Sequence, residues 1–260
     1  MPNSQDVLEL MQCVAAEVIT PRFRQLAAGE VDQKSPGDYV TIADREAEVV
    51  LTAELQKMFP GALVVGEEAC FANPELEFTL GGVAHAFTVD PVDGTKNFVQ
   101  GSPDHAVMIA EVINGEQSRG WIWQPEHHRS YVTEKGAGVE LNGVAMTPVV
   151  RDRLPIGATS KNRRHGFDGG GTLAPVERSR WCCGIDYPRL FSGDIDFLTY
   201  TAVHPWDHLP GTLMVRELGG VARLFDGTDY HPGFTGPGLL SAVTPEIWDT
   251  VMAVWGEPDL

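Results

Sequence analysis

Apolar residues at Val7, Leu10, Met11, Val14, Val18 and Ile19 recur at three- and four-residue intervals. This spacing predicts a helix over residues 6–28, disturbed at Pro21 and stopped by Gly29. Residues 39–43 read as extended, and 44–59 as a helix that ends before Pro60-Gly61. Two short apolar runs, 62–65 and 83–89, read as buried strands. The first closes on Gly66-Glu67-Glu68, and the second runs straight into Asp90-Pro91-Val92-Asp93-Gly94-Thr95. Residues 71–82 between them read as a loop. Strands are predicted at 105–112, 119–123 and 130–133, with turns at Asn114-Gly115 and Pro125 and a hairpin over 136–143. The pattern weakens near 147–154 and divides the chain into an N-terminal half, 1–150, and a C-terminal half, 151–260. The second half predicts strands at 156–159, 197–201 and 221–225 and helices at 187–192, 206–218 and 245–255, with a flexible loop at Gly169-Gly170-Gly171. Helices alternating with sequential hairpins predict a layered α/β fold with mixed sheets rather than a purely parallel one.

The 260 residues carry 19 Lys plus Arg and 36 Asp plus Glu, a formal charge of −17. That excess would repel a nucleic-acid backbone or an anionic membrane as the main partner. No apolar stretch reaches the 18 or so residues of a membrane span, and the first residues lack the pattern of a secretory signal. Cys13, Cys70, Cys182 and Cys183 form no CxxC pair. They read as small buried apolar residues in a reduced, cytoplasmic protein.

Candidate chemistry concentrates in Asp90 to Phe98. A buried strand delivers two carboxylates onto a turn that Pro91 stiffens and Gly94 opens to close approach. Two hard anions with a backbone carbonyl between them suit Mg²⁺. If Gly94-Thr95 opens a helix, its free N–H groups can face a phosphate at the same spot. Glu67 ends the neighbouring strand, and Asp207 in Trp206-Asp207 stands at the start of a helix whose Pro210 falls in the first turn. His204 and His208 flank Asp207, but without an HExxH pattern they read as surface or supporting residues. Lys96 and the basic run at residues 161–165 read as a solvated surface or as a rim attracting an anion.

Gly66-Glu67-Glu68, Asp90 to Phe98 and Trp206-Asp207, with weaker matches at residues 38–44 and 217–220, resemble the inositol monophosphatase family of lithium-sensitive, Mg²⁺-dependent phosphatases. The resemblance spans about residues 5–255. It implies a sugar-phosphatase-like αβαβα sandwich and a phosphomonoesterase acting on a small polar alcohol phosphate, such as an inositol or sugar phosphate. It implies one Mg²⁺ on Glu67, Asp90 and the Val92 carbonyl, a second on Asp90, Asp93 and Asp207, and a third, weaker ion near Glu67. Asp44 and Thr95 would pair beside the attacking water, and Asp93, Gly94 and Thr95 would hold the phosphate. A homodimer is expected.

The specificity region departs from the family pattern. Tyr200 stands where inositol-specific members carry a glutamate. Residues 181–186, Trp-Cys-Cys-Gly-Ile-Asp, stand where members carry a small-residue run such as GSAA. Tyr200, Asp186 and Lys161 are therefore the candidate specificity residues. Alternative activities are a histidinol-phosphate phosphatase, with Asp186 meeting the substrate ammonium, and a 3′,5′-bisphosphate nucleotidase using the cluster at 161–164. A further alternative is a protein-interaction role in a transcription complex.

Overall fold

The computed structural model describes residues 2–234 and 238–256. The chain opens with α1 (Ser4–Val14), whose N-terminus is closed by an Asn3–Asp6 capping box. A short hairpin, β1 (Val31–Ser35) and β2 (Asp38–Thr41), leads into α2 (Ile42–Met58). Then follow β3 (Leu63–Gly66), α3 (Glu67–Ala72), β4 (His85–Asp93) and α4 (Thr95–Val99). A meander continues through β5 (Ala106–Ile113), β6 (Glu116–Gln124), β7 (Arg129–Glu134), β8 (Gly138–Leu141) and β9 (Val144–Ala145). The remaining elements are β10 (Gly157–Thr159), β11 (Glu177–Arg178), α5 (Cys183–Phe191), β12 (Phe197–Tyr200), α6 (Pro205–Glu217), β13 (Val221–Leu224), β14 (Leu239–Ala242) and α7 (Pro245–Trp255).

Strands β3 to β9 form a seven-stranded sheet in sequence order; only the β3–β4 pair is parallel. The second sheet runs β11-β10-β12-β14-β13 and mixes parallel and antiparallel pairs. The period of two along the strands sorts side chains between layers. Phe87, Val89, Val107 and Ile109 face α1 and α2, where they meet Met11, Leu51 and Leu55. Ala106, Met108 and Ile122 face the other way, toward α5 and α6, and pack with Leu190 and Met214. On the far side of the second sheet, Phe197, Leu240 and Ala242 pack against Trp248, Val251 and Trp255 of α7. The order is thus helix, sheet, helix, sheet, helix, the layered α/β sandwich expected.

Several boundaries differ from expectation. The first helix loses its α-pitch after Val14, passes through a π-helical segment at Ala15–Ile19 and ends in a 3₁₀ turn at Thr20–Arg22. It therefore stops near Pro21 rather than at Gly29. α2 begins two residues earlier than expected, because Thr41 caps it and places Asp44 inside its first turn. Residues 71–82, read as a loop, hold the end of α3 and a 3₁₀ segment at Pro74–Gly82. α6 starts at Pro205, so Pro210 lies in its second turn. Cys13 is exposed rather than buried. Among the described residues no helix is long and apolar enough to cross a membrane.

Candidate active site

The Asp90–Asp93 pair owes its geometry to a β-bulge. Asp90 lies opposite Met108 and Asp93 opposite Ala106, so β4 spends one more residue than β5 over this interval. In a regular strand, residues three apart point to opposite faces; the inserted residue brings both carboxylates to one side. The Val92 N–H donates to Asp90 Oδ1 (3.0 Å) rather than to the ladder. Gly94 then takes φ +83° to turn the chain into α4. A Cβ there would meet Cys182 Cβ at 2.9 Å, so glycine is required for space as well as conformation.

Glu67 reaches the same place from the parallel neighbour. Gly66 pairs with Val89, so Glu67 leaves the end of β3 beside Asp90 at the end of β4. Ligand sites favour such carboxyl ends of strands. α6 lies across β4, β5 and β6 and supplies Asp207 from its first turn. Carboxylate oxygens of Asp90, Asp93 and Asp207 all lie within 4.8 Å of one another. Three anions so close cannot all stay ionised without a cation. Burial, with Glu67, Asp93 and Asp207 adding repulsion, raises Asp90 well above the ordinary carboxylate range. Burial lifts Asp93 to about 6, although the Cys182 thiol and the Gly184 amide pull it down. Burial, Asp93 and Glu67 lift Asp207 to about 8. The donor set, all hard oxygen and mutually repelling, fits a divalent cation such as Mg²⁺.

Beside the trio, Thr95 Oγ1 lies 2.9 Å from Asp44 Oδ1 and 3.0 Å from the Val92 carbonyl. The Thr41 amide and hydroxyl donate to the other Asp44 oxygen (2.9 and 2.5 Å). Burial raises Asp44 to about 7 despite these donors. Asp44, Glu67, Asp90, Val92, Asp93, Gly94, Thr95 and Asp207 thus converge, and all but Asp44 line one cleft with Gly37, Asp38, Tyr39, Lys96 and Trp181.

The three specificity candidates do not join them. Asp186 is fully buried, 0% exposed. It accepts from Ser179 Oγ (2.6 Å), the Arg180 amide (3.0 Å), Arg189 Nη1 (3.2 Å) and Tyr200 Oη (2.7 Å). A carboxylate so enclosed has no free face for a substrate ammonium, and Tyr200 spends its hydroxyl proton on it. Lys161 is half-buried and its side chain lies outside the cleft lining. His208 is also turned inward: Nε2 is 3.0 Å from the Ala202 carbonyl and Nδ1 3.0 Å from the Tyr187 hydroxyl. His204 stacks on Trp206 at 4.8 Å.

Two residues, Lys34 and Glu48, escape the sequence reading, and two that it names, Cys182 and Trp181, have contacts that it does not give. Lys34 Nζ contacts Glu67 (2.7 Å) and Glu68 (2.5 Å). Burial alone would lower its pKa, but the two carboxylates outweigh burial and raise it. Glu48 caps α3 through the Glu68 and Ala69 amides (both 2.8 Å), so closely that a Cβ at Gly66 would strike its carboxylate. Cys182 Sγ donates to Asp93 Oδ2 (2.9 Å). Trp181 forms part of the cleft wall. Only the glycine before Glu67 carried a local signal, since it marks a close approach.

Two carboxylates from the bulged strand and one from the start of a helix thus meet inside a five-layer sandwich, as a cluster of oxygen donors suited to a hard cation. The model of the inositol monophosphatase family matches residues 4–251. The chain is 32% identical over 224 residues to the inositol-1-monophosphatase of Mesorhizobium japonicum, covering 82% of each protein. It is 28% identical over 228 residues, again 82% of each, to the Nus factor SuhB of Pseudomonas aeruginosa. Among solved structures, the Thermotoga maritima IMPase has a TM-score of 0.79 at 24% identity, covering 95% of this chain and 94% of that one. A staphylococcal IMPase complexed with products has a TM-score of 0.79 at 21% identity, covering 98% and 96%. The chain belongs to the inositol monophosphatase family and is a phosphoric monoester hydrolase.

Proposed function

We propose that the protein is a Mg²⁺-dependent phosphatase for a small alcohol phosphate. The observation that carries this reading is the trio Asp90, Asp93 and Asp207 within 4.8 Å, with Glu67 and Thr95 lining the same cleft and Asp44 hydrogen-bonded behind Thr95. Asp90, Asp93, Asp207, Glu67 and the Val92 carbonyl would hold the ions. Bound there, Mg²⁺ neutralises the anionic phosphate, acidifies a water and steadies the leaving oxygen.

The chain's own groups do the rest. Thr95 Oγ1 donates to Asp44 and keeps its lone pairs for the attacking water. Asp44, with its pKa raised to about 7 by burial, takes the proton through that hydroxyl when it is in its carboxylate form. The Gly94 and Thr95 amides orient the phosphate. Glu48, by capping α3, fixes where Glu67 stands.

A panel of inositol 1-phosphate, glycerol 2-phosphate, histidinol phosphate, a sugar phosphate and a nucleoside bisphosphate, assayed with and without Mg²⁺, tests the reading. Hydrolysis of at least one ester that EDTA abolishes is expected; none with Mg²⁺ would end it. Li⁺ should inhibit, because a small monovalent ion in the second site stabilises the leaving oxygen less well. The resemblance to the Nus factor SuhB supports a second reading, a transcription-complex partner. A pull-down with RNA polymerase and its elongation factors tests it.

A further inference from the structure

Trp181 adopts φ +58°, a left-handed conformation that a bulky residue occupies only under constraint. The constraint is visible. Its N–H donates to Ser179 Oγ (2.9 Å), and that hydroxyl donates to buried Asp186 (2.6 Å), which also takes the Arg180 amide and the Tyr200 hydroxyl. From the other side, Asn97 Nδ2 donates to the Arg180 carbonyl (2.8 Å). The turn is tied to the catalytic segment by Cys182, whose Sγ donates to Asp93 Oδ2 (2.9 Å). A dense buried network thus holds one strained residue, and that residue presents a large apolar ring, 40% exposed, in the wall of the phosphate-ester cleft. Lys96 Nζ lies 5.6 Å from the ring centroid. Tyr39 adds a second aromatic ring to the lining.

We propose that Trp181 is a specificity residue that stacks a planar, aromatic or heteroaromatic leaving group, so that the preferred substrate is a phosphate monoester bearing such a ring. This rests on the phosphatase reading above. The carboxylates and amides hold the phosphate, and the alcohol portion must leave the cleft past its wall. Two of the candidate specificity residues, Asp186 and Tyr200, are tied to each other beneath the turn, whereas the indole lies in the cleft wall with Lys96 Nζ over its ring. Flat rings stack on an indole face, while a polyhydroxylated aliphatic ring gains little from it.

The test is calorimetry on the Mg²⁺-loaded protein with phenylphosphonate and methylphosphonate, which cannot be hydrolysed. Both share the anionic head and differ in the ring. Wild type should bind phenylphosphonate about 10-fold more tightly, in line with one aromatic stacking contact. Trp181→Phe should keep most of that preference. Trp181→Gly, whose backbone suits φ +58° and so guards against misfolding, should reduce it to below twofold. An unchanged preference in Trp181→Gly, or none in wild type, overturns the inference. Hydrolysis of phenyl phosphate and glycerol 2-phosphate separates the two levels. If wild type cleaves both and Trp181→Gly leaves the kcat/KM ratio unmoved, the ring-stacking role fails and the phosphatase reading stands. If wild type cleaves neither, nor any other ester, the phosphatase reading fails and takes this inference with it.

Discussion

Asp90, Asp93 and Thr95 reach the cleft from one six-residue stretch, whereas the turn at Trp181 is held by partners drawn from residues 97, 179, 186 and 200. The first wall is local: a bulge, a left-handed glycine and a helix start are all encoded side by side. The second is tertiary: a buried carboxylate gathers donors from separate elements. Local encoding leaves a motif that a reader of the sequence can recognise. Tertiary encoding leaves isolated residues whose neighbours are unknown until the chain is folded.

The contrast is sharpest when one carboxylate of each wall is removed. Asp90→Asn should lower kcat by about 10³-fold or more, because Asp90 would bridge both ion positions. The fold should survive, since one of several mutually repelling anions has lost its charge. A variant that keeps a tenth of wild-type activity would break the assignment. Asp186→Ala should act on stability instead. It leaves the Ser179 and Tyr200 hydroxyls and the Arg180 amide without their buried acceptor, while Arg189 keeps Glu177 (2.6 Å), at a cost of about 1–3 kcal/mol per unpaired donor. Urea unfolding measures this; a loss below about 1 kcal/mol would show that the turn does not depend on the carboxylate.

The catalytic wall should also respond to pH. An Asp in an unfolded chain titrates near 3.9, so Asp93 near 6 and Asp207 near 8 bind protons more tightly when folded. Their contribution to stability is full below about pH 4 and is lost as pH rises toward 8 in metal-free protein. Mg²⁺ needs the deprotonated forms, so its apparent affinity should climb from pH 6 to 8.5. Thermal unfolding with EDTA and with Mg²⁺ across that range checks both signs; parallel curves would contradict the site. The smallest expected effect is Tyr200→Phe. It deletes one hydrogen bond to Asp186 and should cost about 1 kcal/mol of stability. Tyr200→Glu should cost more, by setting a second carboxylate beside a buried one, and should not create a grip for inositol.

Much of this was legible in advance. The layered α/β fold followed from helices alternating with hairpins, the five-layer sandwich from the family resemblance, and the residues that converge at the cleft from three short motifs. Asp186 and Tyr200 were picked out for their positions, but their partners could not be read. Ser179, Arg189 and Tyr200 meet only because β11, α5 and β12 converge. Residues 71–82 misled for a different reason. Within them only Leu80 is buried, so no apolar period announces their short helical turns. Lys34 was invisible because it lies 33 residues before its partner on an independent hairpin.

The bulge between Asp90 and Asp93 has a genetic side. A plain Asp-x-Asp on a regular strand would also turn two carboxylates to one face, but the peptide between them would be absorbed by pairing with β5. With one residue to spare, Val92 has its N–H on Asp90 and its carbonyl toward Thr95, both outside the ladder. The cleft thereby gains an oxygen that belongs to no side chain. Any of the carboxylates can be lost to a single nucleotide change, whereas this oxygen survives every substitution at position 92 and disappears only if the backbone path itself is altered. Drift at that position should therefore be limited by packing in the α1–α2 layer, where the Val92 side chain is buried, and not by the chemistry its carbonyl serves.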